Sequence, residues 1–164
     1  MRHRIFIAIN LPQEVKKELG SFKSKWPELP ARWTKKDNLH ITLEFLGYVS
    51  DEELLKVFQG TGELASKHQS FEIHLNKIIY GPPKKPPRMI WAIGKRIGEL
   101  NLVPHITLAR IRAWDFRRIE PEERPEVNED IDLTFEVDSI EIMESVLGRG
   151  GPTYTILKSF PLKI

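Results

Sequence analysis

The chain has 164 residues, of which 40% are hydrophobic and 29% charged, and its formal net charge is only +2. This composition is typical of a globular protein and excludes a disordered one, and the length suits one domain or two small lobes that share a core. The sequence contains no cysteine, which excludes disulfides, a thiolate nucleophile and zinc held by cysteine ligands.

The first part of the chain predicts two strand–helix pairs. Residues 4–9 are apolar on both alternating faces, which predicts a central strand. Apolar side chains then recur at helical spacing over residues 12–27, after a proline at the helix start. A strand follows over residues 40–46. Ser50 and Glu53 form a capping box, which predicts the start of a second helix.

The remainder of the chain predicts strands, hairpins and one long loop. The predicted elements are a hairpin of strands 71–76 and 88–93 around a proline-rich turn at 81–87, a strand from residue 105, a charged surface loop with one short helix over 112–130, and a hairpin of strands 135–146 and 154–162 around a turn at 148–151. The order predicts an α+β protein with a mainly antiparallel sheet and helices packed on one side.

The sequence carries no sign of a membrane or secretory protein. No apolar run approaches the roughly 20 residues needed to span a bilayer. The first residues lead directly into a strand and lack the apolar stretch of a signal peptide. We therefore expect a cytoplasmic protein without membrane association, and a monomer.

One short phrase occurs twice, as His40-Ile41-Thr42-Leu43 and as His105-Ile106-Thr107-Leu108. Residues i and i+2 of a strand share a face, so each copy presents its histidine and threonine on one side and its apolar residues on the other. Packing alone would repeat the isoleucine and leucine, but it would not require His and Thr at the same places. We expect the two copies to line one cleft from opposite sides.

Imidazole and hydroxyl groups in this pattern suit acid–base chemistry at a phosphate. Histidine has an ordinary pKa of about 6.5, so one imidazole of a pair can act as a general base and the other as a general acid. Threonine hydroxyls can donate hydrogen bonds to phosphate oxygens. A metal site with two histidines is the competing interpretation, but no acidic residue stands at matching spacing in both copies. We expect neither a metal nor a cofactor.

Two charged residues follow the repeated phrase. Strict alternation puts Arg110 on the face opposite His105, although it could reach the same site if the strand twists or ends there. Because a guanidinium is a natural partner for phosphate, Arg110 is a candidate substrate-binding residue. The same alternation puts Glu44 on the face of His40, where it either orients the imidazole or, as we favour, is solvated.

The segments from His40 to Gly47 and from Pro104 to Arg110 resemble the paired motifs of the two-histidine phosphoesterases. Within that superfamily the resemblance is to the RNA 2′,3′-cyclic phosphodiesterases, also called 2′–5′ RNA ligases. It extends along nearly the whole chain, through residues 4–9, Arg32-Trp33, residues 90–92 and residues 151–154.

This resemblance implies a single bilobed phosphoesterase domain over residues 1–164, with the two motifs facing across a central cleft. It implies hydrolysis of a terminal 2′,3′-cyclic phosphate to a 2′-phosphate, with His40 as the acid and His105 as the base. Thr42 and Thr107 would hold the phosphate with help from Arg110. The implied substrates are RNA ending in a 2′,3′-cyclic phosphate, tRNA fragments among them, or small cyclic nucleotides. The reverse reaction would make a 2′–5′ RNA linkage.

One departure and one alternative accompany the resemblance. Relatives usually carry a helix between the strand near residue 93 and the second motif, and the segment 94–103 is too short for it. The alternative function is a non-catalytic nucleotide- or RNA-binding module on the same fold. The presence of both His-x-Thr pairs argues against it, because binding alone has less need of two proton-transfer groups.

Overall fold

The chain divides into two units, each built on antiparallel strands. A computed structural model describes the backbone of residues 1–164 and every side chain except that of Glu99. The first unit comprises Met1–Asn10, His40–Glu72 and Glu136–Ile164, and the second comprises Leu11–Leu39 and Ile73–Phe135. The expected α+β class with mainly antiparallel sheets is confirmed.

The helices and strands follow in the order predicted, with two additional strands. In chain order they are β1 (Arg2–Asn10), α1 (Gln13–Gly20), β2 (Ala31–Trp33), β3 (His40–Ser50), α2 (Asp51–Lys67), β4 (Phe71–Gly81), β5 (Met89–Gly94), β6 (His105–Ile111), α3 (Ala113–Arg117), β7 (Asn128–Val137), β8 (Ser139–Gly148) and β9 (Gly151–Pro161). None of the helices formed by the described residues is long and apolar enough to cross a membrane.

The first unit has the strand order β3–β1–β8–β9, so β1 is an internal strand as predicted. Every residue from Ile5 to Ile9 is at most 9% exposed, because both faces of β1 are covered. Helix α2 packs along this sheet and begins with the predicted capping box. The Ser50 hydroxyl accepts from the Glu53 N–H at 3.1 Å, and the Glu53 carboxylate accepts from the Ser50 N–H at 2.8 Å.

The second unit has the order β7–β4–β5–β6, and the short strand β2 pairs with β6. Helix α1 is anchored by buried Val15 and Leu19. The prediction of one helix over 12–27 was wrong in its length, since the regular helix ends at Gly20 and a 3₁₀ turn continues to Lys25. Trp26 is nevertheless buried, and its indole N–H donates to a backbone carbonyl at 3.0 Å.

Two further corrections concern the C-terminal part of the chain. The predicted strand 135–146 is two strands, since β7 ends at Val137 and β8 begins at Ser139. Strand β7 also begins at Asn128, inside the segment predicted as a surface loop. It lies at the edge of its sheet and exposes alternate polar residues. A strand with one polar face is hard to distinguish from a loop by composition.

The short connection before the second motif closes on itself as a small hairpin. The Ile97 N–H donates to the Leu102 carbonyl at 2.7 Å, and the Leu102 N–H donates back at 3.1 Å. Asn101 has a φ of 49°, a left-handed conformation that asparagine tolerates better than most residues. The strands β5 and β6 are therefore joined here without an intervening α-helix.

His3 links three elements of the first unit through two carboxylates. Its Nδ1 lies 2.7 Å from Glu144 Oε2 on β8, and its Nε2 lies 2.6 Å from Asp51 Oδ1 at the start of α2. Hydrogen bonds to Asp51 and then to Glu144 raise the pKa of the His3 imidazole above its ordinary value. The hydrogen bond from His3 is likewise the main cause that lowers the pKa of Asp51.

A raised histidine pKa stabilises the folded chain below the ordinary pKa of about 6.5, and this contribution is lost as pH rises through the folded value. We expect the free energy of unfolding of wild type to exceed that of His3→Gln at pH 6, and the difference to shrink by pH 9. Urea denaturation across this range measures it. His68→Gln is the control, because that imidazole contacts a backbone carbonyl instead of a carboxylate. A difference independent of pH would contradict the prediction.

Candidate functional site

The first half of the candidate site is built on β3 and its neighbour β1. His40 lies opposite Asn10, and Thr42 lies opposite Ala8. The Nε2 of His40 is 2.9 Å from the Thr42 hydroxyl oxygen. This contact confirms that the two side chains share a face, as the strand periodicity predicted.

Two aromatic rings pack against the His40 imidazole. The Phe6 ring lies 4.9 Å from it, centroid to centroid, and the Tyr154 ring lies 5.1 Å away at an interplanar angle of 87°. Phe6 and Tyr154 also contact each other edge to face at 5.1 Å. Ring contacts of this kind contribute about 0.5–1.5 kcal/mol each and fix orientation as well. Periodicity along one strand could not predict these ring contacts, because Tyr154 lies far from His40 in the sequence.

A buried carboxylate supports the end of β1 that faces His40. Glu141 on β8 is only 4% exposed, and it accepts hydrogen bonds from three donors. These are the Asn10 N–H at 3.2 Å, the Ser139 hydroxyl at 2.7 Å and the Ser159 hydroxyl at 2.5 Å. A buried carboxylate is tolerated when donors surround it. Glu141 therefore holds Asn10, the residue paired with His40.

The second half of the candidate site is built on β6 and its neighbour β5. His105 lies opposite Ile93, and Thr107 lies opposite Trp91. The indole ring of Trp91 lies 4.4 Å from the His105 imidazole at an interplanar angle of 33°. Gly81 on β4 makes room for this indole, because a Cβ at that position would overlap ring carbons of Trp91.

Each copy of the repeated phrase contains a β-bulge at its fourth residue. The pairing of β3 with β1 passes from Thr42 to Glu44 and leaves Leu43 without a partner on β1. The pairing of β6 with β5 passes from Thr107 to Ala109 and leaves Leu108 without a partner on β5. An extra residue reverses the alternation of side chains beyond it.

The second bulge places Arg110 on the same face as His105 and Thr107. Arg110 pairs with Met89, two residues along β5 from the partner of Thr107. The Arg110 Nη1 and the Thr107 hydroxyl lie 3.7 Å and 3.9 Å from the same Met89 sulfur. The face expected from strict alternation was therefore wrong for Arg110. The strand does not need to end for Arg110 to reach this face, because the bulge turns it there.

The first bulge has the opposite effect on Glu44. It turns Glu44 away from the face of His40, so the expected face was wrong here too. Glu44 is exposed, in agreement with the favoured interpretation that it is solvated. Phe45 takes the place on β3 that Arg110 takes on β6, and the guanidinium of Arg4 lies 5.0 Å from its ring centroid.

Thr34, just after β2, holds the second bulge with two hydrogen bonds. Its hydroxyl donates to the Thr107 carbonyl at 2.9 Å, and its N–H donates to the Leu108 carbonyl at 2.8 Å. Thr34 therefore fixes the backbone that determines where Thr107 and Arg110 point. No sequence pattern indicates this role, since it requires knowing that β2 pairs with β6.

Within the set of side chains that the structure describes, no three His, Cys, Asp or Glu residues come together in a way that could hold a metal ion. The groups that the two copies of the phrase and Arg110 present are imidazole, hydroxyl and guanidinium groups. His40 belongs to the first unit and His105 to the second. That the two halves line one cleft stays a prediction.

A family model described as LigT-like phosphoesterase matches residues 9–91, about half of the chain. The chain belongs to the LigT-like phosphoesterase family. Curated RNA 2′,3′-cyclic phosphodiesterases of Methanocaldococcus jannaschii and Thermotoga maritima are each 28% identical to it. These matches cover 96% and 94% of this chain and 99% and 92% of the two relatives. Over nearly its full length the chain is thus similar to curated RNA 2′,3′-cyclic phosphodiesterases.

Two solved structures confirm the fold. TT0787 of Thermus thermophilus matches with a TM-score of 0.82 at 28% identity, over 98% of both chains. Escherichia coli LigT complexed with phosphate matches with a TM-score of 0.78 at 27% identity, over 99% of both chains. The M. jannaschii alignment spans 177 positions, more than the 164 residues here, so that relative carries residues which this chain lacks.

Substitution of Gly81 tests the packing behind His105. In Gly81→Ala the new methyl group would overlap the Trp91 indole, so the ring must move relative to the imidazole. We expect the free energy of unfolding to fall by about 1–3 kcal/mol, as in other overpacked cores, with a change in tryptophan fluorescence of the folded protein. Gly60→Ala on α2 is the control, because its Cβ would meet nothing within 4 Å. Equal stability of both variants would contradict the prediction.

Substitution of Thr34 tests the support of the bulge. Thr34→Val removes the hydroxyl bond to the Thr107 carbonyl and keeps the shape. We expect a loss of about 1 kcal/mol of unfolding free energy, together with shifted amide NMR signals for residues 108–110. Thr34→Ser retains the hydroxyl and should show much smaller changes. If Thr34→Val leaves both the stability and the signals unchanged, Thr34 does not support the bulge.

Proposed function

We propose that this LigT-like phosphoesterase is an RNA 2′,3′-cyclic phosphodiesterase, which hydrolyses a terminal cyclic phosphate to a 2′-phosphate. The proposal rests on one observation above all. The two copies of His-x-Thr occur on two strands with a bulge at the same position, and the second bulge adds Arg110 to the face of its histidine. Full-length similarity to curated enzymes of this name supports it.

In the proposed reaction the two imidazoles move one proton each. His105, neutral, takes a proton from water as the water oxygen bonds to phosphorus. His40, protonated, gives a proton to the 3′ oxygen as the bond between phosphorus and that oxygen breaks. The product carries a 2′-phosphate and a free 3′-hydroxyl. Each general acid or base of this kind contributes about 10²–10⁴-fold to the rate. Exchange of protons with solvent then restores both imidazoles.

The threonines and Arg110 hold the phosphate in this proposal. A hydroxyl offers one donor and two acceptor sites. The Thr42 hydroxyl can therefore accept from the His40 imidazole at 2.9 Å and still donate its own proton to a phosphate oxygen. Thr107 has the same role beside His105. The guanidinium of Arg110 would stabilise the charge that develops on the phosphate oxygens.

The proposal includes no metal ion and no cofactor. Its substrates are RNA ending in a 2′,3′-cyclic phosphate, tRNA fragments among them, or small cyclic nucleotides. We further propose that the same groups, run in reverse, join a cyclic-phosphate end to a 5′-hydroxyl in a 2′–5′ linkage. A cytoplasmic monomer is proposed as the working form.

A second candidate function is nucleotide binding without turnover. Solved structures of E. coli LigT exist in complex with 3′-AMP, with NADP+ and with ATP. These complexes concern that protein, a relative at 25–27% identity, and they make nucleotide binding a reasonable alternative here. A binding module would have no need for both imidazoles to change protonation. The dependence of turnover on both histidines therefore distinguishes the two functions.

The decisive measurement is hydrolysis of a short RNA ending in a 2′,3′-cyclic phosphate, with EDTA present. We expect wild type to form the 2′-phosphate. His40→Ala and His105→Ala should each lose about 10²–10⁴-fold in kcat, since each removes one proton-transfer group. The product isomer is identified by NMR or chromatography, and circular dichroism checks that the variants fold.

His68→Ala is the control variant, because its imidazole at the end of α2 contacts only a local backbone carbonyl in the described structure. It should keep wild-type turnover. If wild type binds the RNA but forms no product, the binding module becomes the better interpretation. Turnover that EDTA abolishes and added metal restores would overturn the metal-free mechanism.

A further inference from the structure

Two arginines stand directly opposite each other beside the second half of the candidate site. Arg32 on β2 pairs with Arg110 on β6 in the antiparallel register. Residues paired in this way project from the same face of a sheet with their Cβ atoms about 5 Å apart. Arg32 therefore shares the face of Arg110, which the bulge has turned toward His105 and Thr107.

Like charges in opposite positions of a sheet are destabilising, and nothing in the described structure compensates this pair. Both side chains are exposed. Among the described residues neither forms an ion pair, and the contact of Arg110 is with the Met89 sulfur. The pair is thus not explained by packing or by ion pairing within the protein. An anion bound between the two guanidiniums would remove the repulsion and use both sets of donors.

The position of the pair indicates which anion it would bind. Strands rise about 3.4 Å per residue, and the β5 partners of Thr107 and Arg110 are two residues apart, so Arg110 lies on the order of 7 Å from Thr107 along the strand direction. Arg32 lies one strand further to the side. This spacing leaves room for a phosphate at Thr107 and a second phosphate at Arg32 at the same time. The five N–H donors of Arg110 lie between them and can serve both.

We propose that Arg32, together with Arg110, binds the internucleotide phosphate on the 5′ side of the terminal nucleoside. This inference rests on the proposed function and names its substrate class more closely. The preferred substrate is then an oligonucleotide ending in a 2′,3′-cyclic phosphate, rather than a cyclic mononucleotide. A dinucleotide is the smallest substrate that carries an internucleotide phosphate.

The kinetic test compares a nucleoside 2′,3′-cyclic phosphate with a dinucleotide that ends in one. The quantity measured is the ratio of kcat/KM for the dinucleotide to kcat/KM for the mononucleotide. We expect Arg32→Gln to lower this ratio about tenfold. Arg32→Lys should fall in between, because an ammonium keeps the charge without the planar fork. Arg149→Gln, at an exposed turn between β8 and β9, is the matched control, because it removes the same charge elsewhere.

A binding test does not depend on turnover. The affinity for a dinucleotide ending in a 2′-phosphate is measured by fluorescence anisotropy at several salt concentrations. Loss of one phosphate contact should reduce the slope of log K against log salt by about 0.7. We expect this change in Arg32→Gln and not in Arg149→Gln.

The two tests separate the failure of this inference from that of the proposed function. If wild type hydrolyses neither substrate, the proposed function fails, and the salt slope still decides the role of Arg32. If Arg32→Gln and Arg149→Gln give the same ratio and the same slope, Arg32 does not bind a substrate phosphate and the inference is overturned.

Discussion

The β-bulge at the fourth residue of each repeated phrase is the constraint on which the candidate site depends. A single unpaired residue, Leu43 in one copy and Leu108 in the other, reverses the side-chain alternation of the residues that follow it directly. Without the second bulge Arg110 would lie on the face away from His105. Without the first, Glu44 rather than Phe45 would share the face of His40. Each copy of the phrase therefore coincides with a backbone irregularity at its fourth residue.

The two halves use different means to hold the same local geometry. In the first unit, rings from β1 and β9 enclose the imidazole, and the buried Glu141 fixes the strand end opposite it. In the second unit, one indole lies against the imidazole, a glycine makes room for the indole, and Thr34 fixes the bulge. All these supports come from neighbouring strands or loops. The repeated phrase supplies the imidazole and hydroxyl groups, and the neighbouring strands and loops orient them.

The sequence predicted features that lie within one strand, and it did not predict features that depend on contacts between strands. A period of two residues was enough to put His40 with Thr42 on one face, and an apolar pattern on both faces was enough to make β1 internal. These features are local. The faces of Glu44 and Arg110 were wrong because a bulge is visible only in the pairing with another strand. Thr34 and Tyr154 were missed because their roles arise from contacts distant in sequence.

The second residue after each bulge distinguishes the two otherwise similar halves. At equivalent positions the second unit presents the cation of Arg110 and the first presents the exposed ring of Phe45. A phosphate in the proposed reaction carries negative charge that a guanidinium can stabilise and a phenyl ring cannot. The His-x-Thr pair is thus repeated, whereas the cation directly on the strand is not. A repeat of this kind can supply two similar imidazoles and still give them unequal surroundings, which a reaction with separate acid and base roles requires.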